Sequence, residues 1–156
     1  GWRLGYCGGP RDIIAGMNKI QSQSTTSTSS ISMAASVEAL NGNQDFIEKH
    51  NIQFKKRRDM VVENLNQIDG INCSIPPGAF YVYPSCEGII GKKTSAGNTI
   101  NTDEDFMNFL LESEGIAGVH GEAFGLSPYF RLSYATDEKT LADACNRIER
   151  ACNNLK

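Results

Sequence analysis

The chain has 156 residues, 40% of them apolar and 21% charged, a balance that suits a globular protein and excludes a disordered one. A net charge of -3 and a pI near 5.4 provide no basic face for phosphate backbones, and no apolar run approaches the length of a membrane span, so neither nucleic acid nor membrane is expected as a partner. Five cysteines, an odd set with no CxxC pair and no histidine at ligand spacing, predict reduced thiols in a reducing, cytoplasmic compartment, without a disulfide framework or a metal site.

In chain order, residues 2–7 alternate as a short strand, with Trp2, Leu4 and Tyr6 on one side and Arg3, Gly5 and Cys7 on the other, ended by "GGP". Pro10 then opens a helix whose apolar stripe is Ile13, Ile14, Met17 and Ile20. The hydroxyl-rich stretch "SQSTTSTSSIS", residues 22–32, reads by composition as a flexible connector, or alternatively as an N-cap run opening the helix "SISMAASVEAL" that stops at Asn41-Gly42. A long helix is expected from Asp45 to Ile68, with "KKRRD", residues 55–59, as its solvated face. Short strands follow in "GINCSI", "GAFYVYP" and "GIAGVHG", interrupted by the helix "TDEDFMNFLLESE" with Thr102 as its cap. "PYFRLSYA" is a last strand, and "TDEKTLADACNRIERACNNL" a closing helix with Leu141, Ala144, Cys145, Ile148, Cys152 and Leu155 inward, the two cysteines being packing residues.

The pattern divides into residues 1–42, a strand and two helices that need neighbours, and residues 43–156, an α/β unit with its own core. Two arginines stand out. Alternation in "PYFRLSYA" puts Phe130, Leu132 and Tyr134 on one face and Tyr129, Arg131 and Ser133 on the other. A guanidinium held in a strand must meet an anion, because burying it unpaired is expensive; the partner is either an internal Asp or Glu or a ligand carboxylate gripped by two N–H groups. Arg3 raises the same question, with Gly5 on its face leaving room for a ligand to approach; a merely exposed strand arginine is the other account. His120 and Glu122, in the Gly-rich "GVHGEAFG", read as a loop residue and a solvated one.

"GWRLGYCGGP", "SQSTTSTSS", "PPGAFYVYP", "GEAFG" and "FRLSYAT", in that order, resemble the carboxy-terminal part of fold-type I, pyridoxal-phosphate-dependent class I aminotransferases, nearest to the bacterial aspartate aminotransferase kind. The resemblance implies an α/β fold in which residues 1–42 are the tail of the large cofactor-binding domain and residues 43–156 are the α+β C-terminal small domain. It also implies a homodimer exchanging an amino group between an amino acid, aspartate first, and a 2-oxo acid. Gly1-Trp2-Arg3 matches the family's Gly-x-Arg triplet, so the resemblance assigns Arg3 to the phosphate of pyridoxal 5'-phosphate and Arg131 to the substrate α-carboxylate. The Schiff-base lysine is expected upstream of residue 1, no lysine present stands in such a context, and the chain alone is expected to be inactive. Two departures stand beside this: His120 replaces a proline common before the "GEAFG" turn, and "STTSTSS" lacks the distal-carboxylate arginine that one aspartate-specific branch supplies from the neighbouring subunit. Two other classes are weighed against the enzyme: an aminotransferase-like effector domain of a transcription regulator, and an interaction module built from residues 43–156, in which Arg131 is paired internally.

Overall fold

The structure is a computed structural model and describes residues 3–156. Two compact units divide it, one reaching Ile47 and the other running from Glu48 to Lys156.

The first unit holds helices α1 (Arg11–Ser24) and α2 (Ser30–Asn41). Pro10 fits the start of α1 because its missing N–H is one the first turn leaves unbonded in any case. The hydroxyl-rich stretch is mostly helix: Ser22 to Ser24 finish α1, Ser30 to Ser32 begin α2, and only a short link joins them. A helix does open within the stretch, but not through the expected cap, since the Ser29 hydroxyl makes no cap hydrogen bond. The expected strand at residues 2–7 does not form: residues 3–9 carry no strand, and Arg3 sits at a φ of 46°, which is incompatible with an extended chain. Trp2, on which that expectation partly stood, lies outside the described residues. α1 buries no residue and α2 only Ser32, so Ile13, Met17, Ile20, Ile31, Met33 and Val37 remain exposed.

The second unit is built around α3 (Asp45–Asn66), α4 (Asp103–Glu114) and α5 (Glu138–Asn153), with a three-stranded antiparallel sheet of β1 (Tyr81–Val82), β2 (Val119–His120) and β3 (Phe130–Ser133). The strand order is β1-β3-β2, so the arginine-bearing strand is central. α4 begins with a full capping box: the Thr102 hydroxyl accepts from the Asp105 N–H, and the Asp105 carboxylate accepts from the Thr102 N–H. It ends on Gly115 at a φ of 67°, where a side chain would be strained. α5 is capped by Asp137 and buries the expected stripe of Leu141, Cys145, Ile148 and Cys152. Those residues meet Val61, Val62 and Leu65 of α3, Phe106 and Leu110 of α4, and the inner sheet residues Val82 and Phe130. Phe106 and Phe130 pack edge to face with ring centres 5.4 Å apart.

Three sequence expectations change here. "GINCSI" gives only an isolated bridge, Asn72 to Ser85, because Asn66 intervenes: its side chain both accepts from the Cys73 N–H and donates to the Cys73 carbonyl, taking the groups a ladder needs. α3 stops at Asn66, two residues early, and Ile68 enters the core from the following turn. The "KKRRD" face is not uniformly solvated. Lys56 pairs with Glu138 at 2.8 Å, Arg57 lies over the Phe54 ring, and the half-buried Arg58 donates to the Pro76 carbonyl at 3.1 Å, tying α3 to the turn before β1.

Candidate functional site

Pairing places Tyr81 opposite Ser133 and Val119 opposite Arg131, and residues opposite one another in an antiparallel ladder share a face. Phe130 and Tyr134, on the other face, are fully buried and Leu132 is partly so, as strand alternation predicts. Arg131 is consequently turned away from the core. With Tyr81, Ala117, Gly118, Val119 and Ser133 it lines a shallow concavity on the outer face of the sheet.

No acidic side chain among the described residues forms an ion pair with Arg131. Of the two partners the sequence left open, an internal Asp or Glu is not found among the described residues. Aromatic rings contact the guanidinium instead: its central carbon lies 4.5 Å from the centre of the Tyr81 ring and 4.4 Å from that of Phe124. Arg131 is thus a half-buried cation with aromatic neighbours and no acidic partner among the described residues.

Phe124 reaches Arg131 through the 3-10 turn Gly121–Phe124 after β2. That turn is held at three points. The Tyr83 hydroxyl contacts the Gly121 and Leu126 carbonyls at 3.1 and 3.3 Å while its ring stacks on Tyr129 and meets Phe124 edge-on. One Asp103 oxygen accepts from the Glu122 and Tyr129 N–H groups, both at 3.2 Å. Gly121 has no room for a side chain, since a Cβ there would fall 2.1 Å from the Leu126 carbonyl oxygen. Burial raises the Tyr83 phenol above its ordinary value and Asp103 adds to the rise, with the Arg131 charge opposing both.

Arg3, in the first unit, is exposed and has no acidic partner among the described residues, and nothing occupies the space beside Gly5. His120 is a strand residue of β2 and not a loop residue, opposite Phe130 on the inner face. The Glu122 side chain is exposed as expected, its backbone N–H being the group in use. Sequence reasoning missed Asp103, 1% exposed, and the rings of Tyr81 and Phe124. The period-two spacing of Tyr81 and Tyr83 in "GAFYVYP" was a usable signal for the first ring; nothing local pointed to Phe124 or Asp103. All five cysteines are free thiols, no group of His, Cys, Asp and Glu among the described residues could hold a metal ion, and no helix is long and apolar enough to cross a membrane.

A helix-backed antiparallel sheet whose central strand presents an arginine without an acidic partner among the described residues makes this a mixed α/β protein. Residues 1–148 match the aminotransferase class I and II model, and the chain belongs to that family. It is similar to a probable aspartate/prephenate aminotransferase of Rhizobium leguminosarum bv. phaseoli, 57% identical over 156 residues, which are 100% of this chain and 39% of that protein. An aspartate aminotransferase of Rhizobium meliloti (strain 1021) is 54% identical over 155 residues, covering 99% of this chain and 38% of the relative. Among solved structures, the aspartate aminotransferase from Rhizobium meliloti superposes with a TM-score of 0.90 at 54% identity, over 99% of this chain and 39% of that one. The alanine aminotransferase from Pyrococcus furiosus does so with a TM-score of 0.73 at 26% identity, over 92% and 34%. The chain thus spans about two fifths of the length of the relatives it matches.

Proposed function

We propose that this chain is the carboxy-terminal portion of an aminotransferase that moves an amino group between an amino acid, aspartate first, and a 2-oxo acid with pyridoxal 5'-phosphate. The unpaired guanidinium of Arg131 carries the reading. In it, Arg131 grips the substrate α-carboxylate through two parallel, charge-assisted N–H bonds, which orients the α-carbon and selects α-amino acids. Arg3, exposed, without an acidic partner and beside the open backbone of Gly5, has the chemistry to hold the cofactor phosphate. Bound there, the cofactor supplies the electron sink for charge developing at the α-carbon. The Schiff-base lysine belongs to sequence before residue 1, and the chain by itself is inactive. Residues 1–42 are then the tail of the large domain and 43–156 the small domain of a cytoplasmic homodimer. The names of the curated relatives favour aspartate and favour an enzyme over a regulator's effector domain.

Arg131→Ala in the full-length protein should raise KM and lower kcat/KM for the amino acid by on the order of 10²-fold, the cost of removing one partner of a buried charge pair. An unchanged kcat/KM would remove the assigned role. For the 156-residue chain alone, incubation with pyridoxal phosphate and borohydride should label no single lysine, and a stoichiometric adduct at one lysine would contradict the proposal.

A further inference from the structure

We infer that Tyr81 and Phe124 determine which anion Arg131 accepts: their rings flank the guanidinium, leave its in-plane N–H edge to the ligand, and so select a planar carboxylate over a tetrahedral oxyanion. The inference rests on the reading of Arg131 as the carboxylate grip.

Both rings contact the same atom, the guanidinium carbon, at 4.5 and 4.4 Å. They come from opposite sides of β3. Tyr81 belongs to β1 and Phe124 to the turn that follows β2, and the strand order is β1-β3-β2. Tyr81 packs against Phe80 with ring centres 4.6 Å apart, and Phe124, itself exposed, meets Tyr83 edge-on in a turn that Tyr83 and Asp103 hold by hydrogen bonds. A guanidinium is planar, with its five N–H groups in one fork, and the edge of that plane matches the two coplanar oxygens of a carboxylate. A sulfonate or phosphonate carries a third oxygen out of that plane, toward a ring face whose π-electrons are negative, so the same rings that favour the cation repel it.

The test uses propionate and ethanesulfonate, two monoanions of similar size at neutral pH, titrated by ligand-observed NMR into the full-length protein saturated with pyridoxal phosphate. The expected result is a wild-type preference for propionate of about fivefold or more, the scale of one partly desolvated cation–π contact. Tyr81→Leu and Phe124→Leu should each strengthen ethanesulfonate about fivefold and leave propionate within about twofold, removing the preference. Tyr81→Phe and Phe124→Tyr, which keep a ring and serve even if the leucine variants do not fold, should retain it. Absence of a wild-type preference, its survival in both folded leucine variants, or its loss in either ring-preserving variant overturns the inference. Arg131→Ala separates the two levels: it should abolish propionate binding, and wild-type propionate affinity in that variant would defeat the carboxylate reading itself.

Discussion

Arg131 and Asp103 are charged-type side chains withdrawn from full solvent, and they are handled in opposite ways. Asp103 is met by backbone: the Glu122 and Tyr129 N–H groups, on either side of Phe124's loop, donate to one of its oxygens. Arg131 has rings and, among the described residues, no acidic partner. Replacing Asp103 by Ala leaves two backbone donors without their partner and should lower the unfolding free energy measured in urea by on the order of 1–3 kcal/mol while narrowing the propionate preference at Arg131. Arg131→Lys keeps the charge but loses the planar fork. It should recover little of the kcat/KM lost in Arg131→Ala, and a full recovery would show that charge alone is what the site uses. Of these residues, Arg131 was legible in the sequence because its strand is long enough to alternate. Asp103 was not, since its partners lie 19 and 26 positions away and only the fold brings them to it.

At the scale of elements, the helices of the second unit were readable because their ends carry local chemistry. Thr102 and Asp105 close a capping box within a single turn, and Thr102→Ala should cost about 1 kcal/mol in a urea titration. The strands were readable only in part, since two- to four-residue strands take their pairing from neighbours and offer little period to count. Between α4 and α5, Arg150 binds Glu114 through its Nε at 3.0 Å and through a second guanidinium nitrogen, which holds the Glu114 carboxyl below its ordinary value of 4.5. A carboxyl with a depressed folded-state value stabilises the fold above its ordinary titration range, and loses that contribution as pH falls through the folded value. The melting temperature of Arg150→Ala should therefore lie below wild type at neutral pH, with the gap closing as pH falls below the ordinary value of 4.5. A gap that is independent of pH would mean the pair contributes by packing alone.

Across the whole molecule, core packing is confined to the second unit. α1 buries nothing, whereas α3, α4 and α5 share one apolar cluster with the inner face of the sheet. Amide hydrogen exchange on the 156-residue chain should accordingly show weak protection through α1 and α2 and strong protection at Leu65, Phe106, Leu110 and Ile148; equal protection in both units would contradict this distribution of stability. The same core shields its thiols. Burial pushes Cys86 and Cys152 up to about 12 and Cys73 up to about 11, so at mildly alkaline pH hardly any reactive thiolate forms. Iodoacetamide should label the exposed Cys7 in the native chain and reach those three only after denaturant is added, as read by peptide mass mapping.

The sequence by itself determined that the helices exist, the Thr102 cap of α4, the inward stripe of α5 and the face of β3 that carries Arg131, because each depends on side-chain spacing or on chemistry within a turn or two. Tertiary structure decided that residues 3–9 form no strand, that "GINCSI" yields only a bridge, and that Arg131 lies among aromatic rings instead of against an acid. Those outcomes depend on which distant groups come to stand beside a residue, and the order of residues along the chain does not contain that distance.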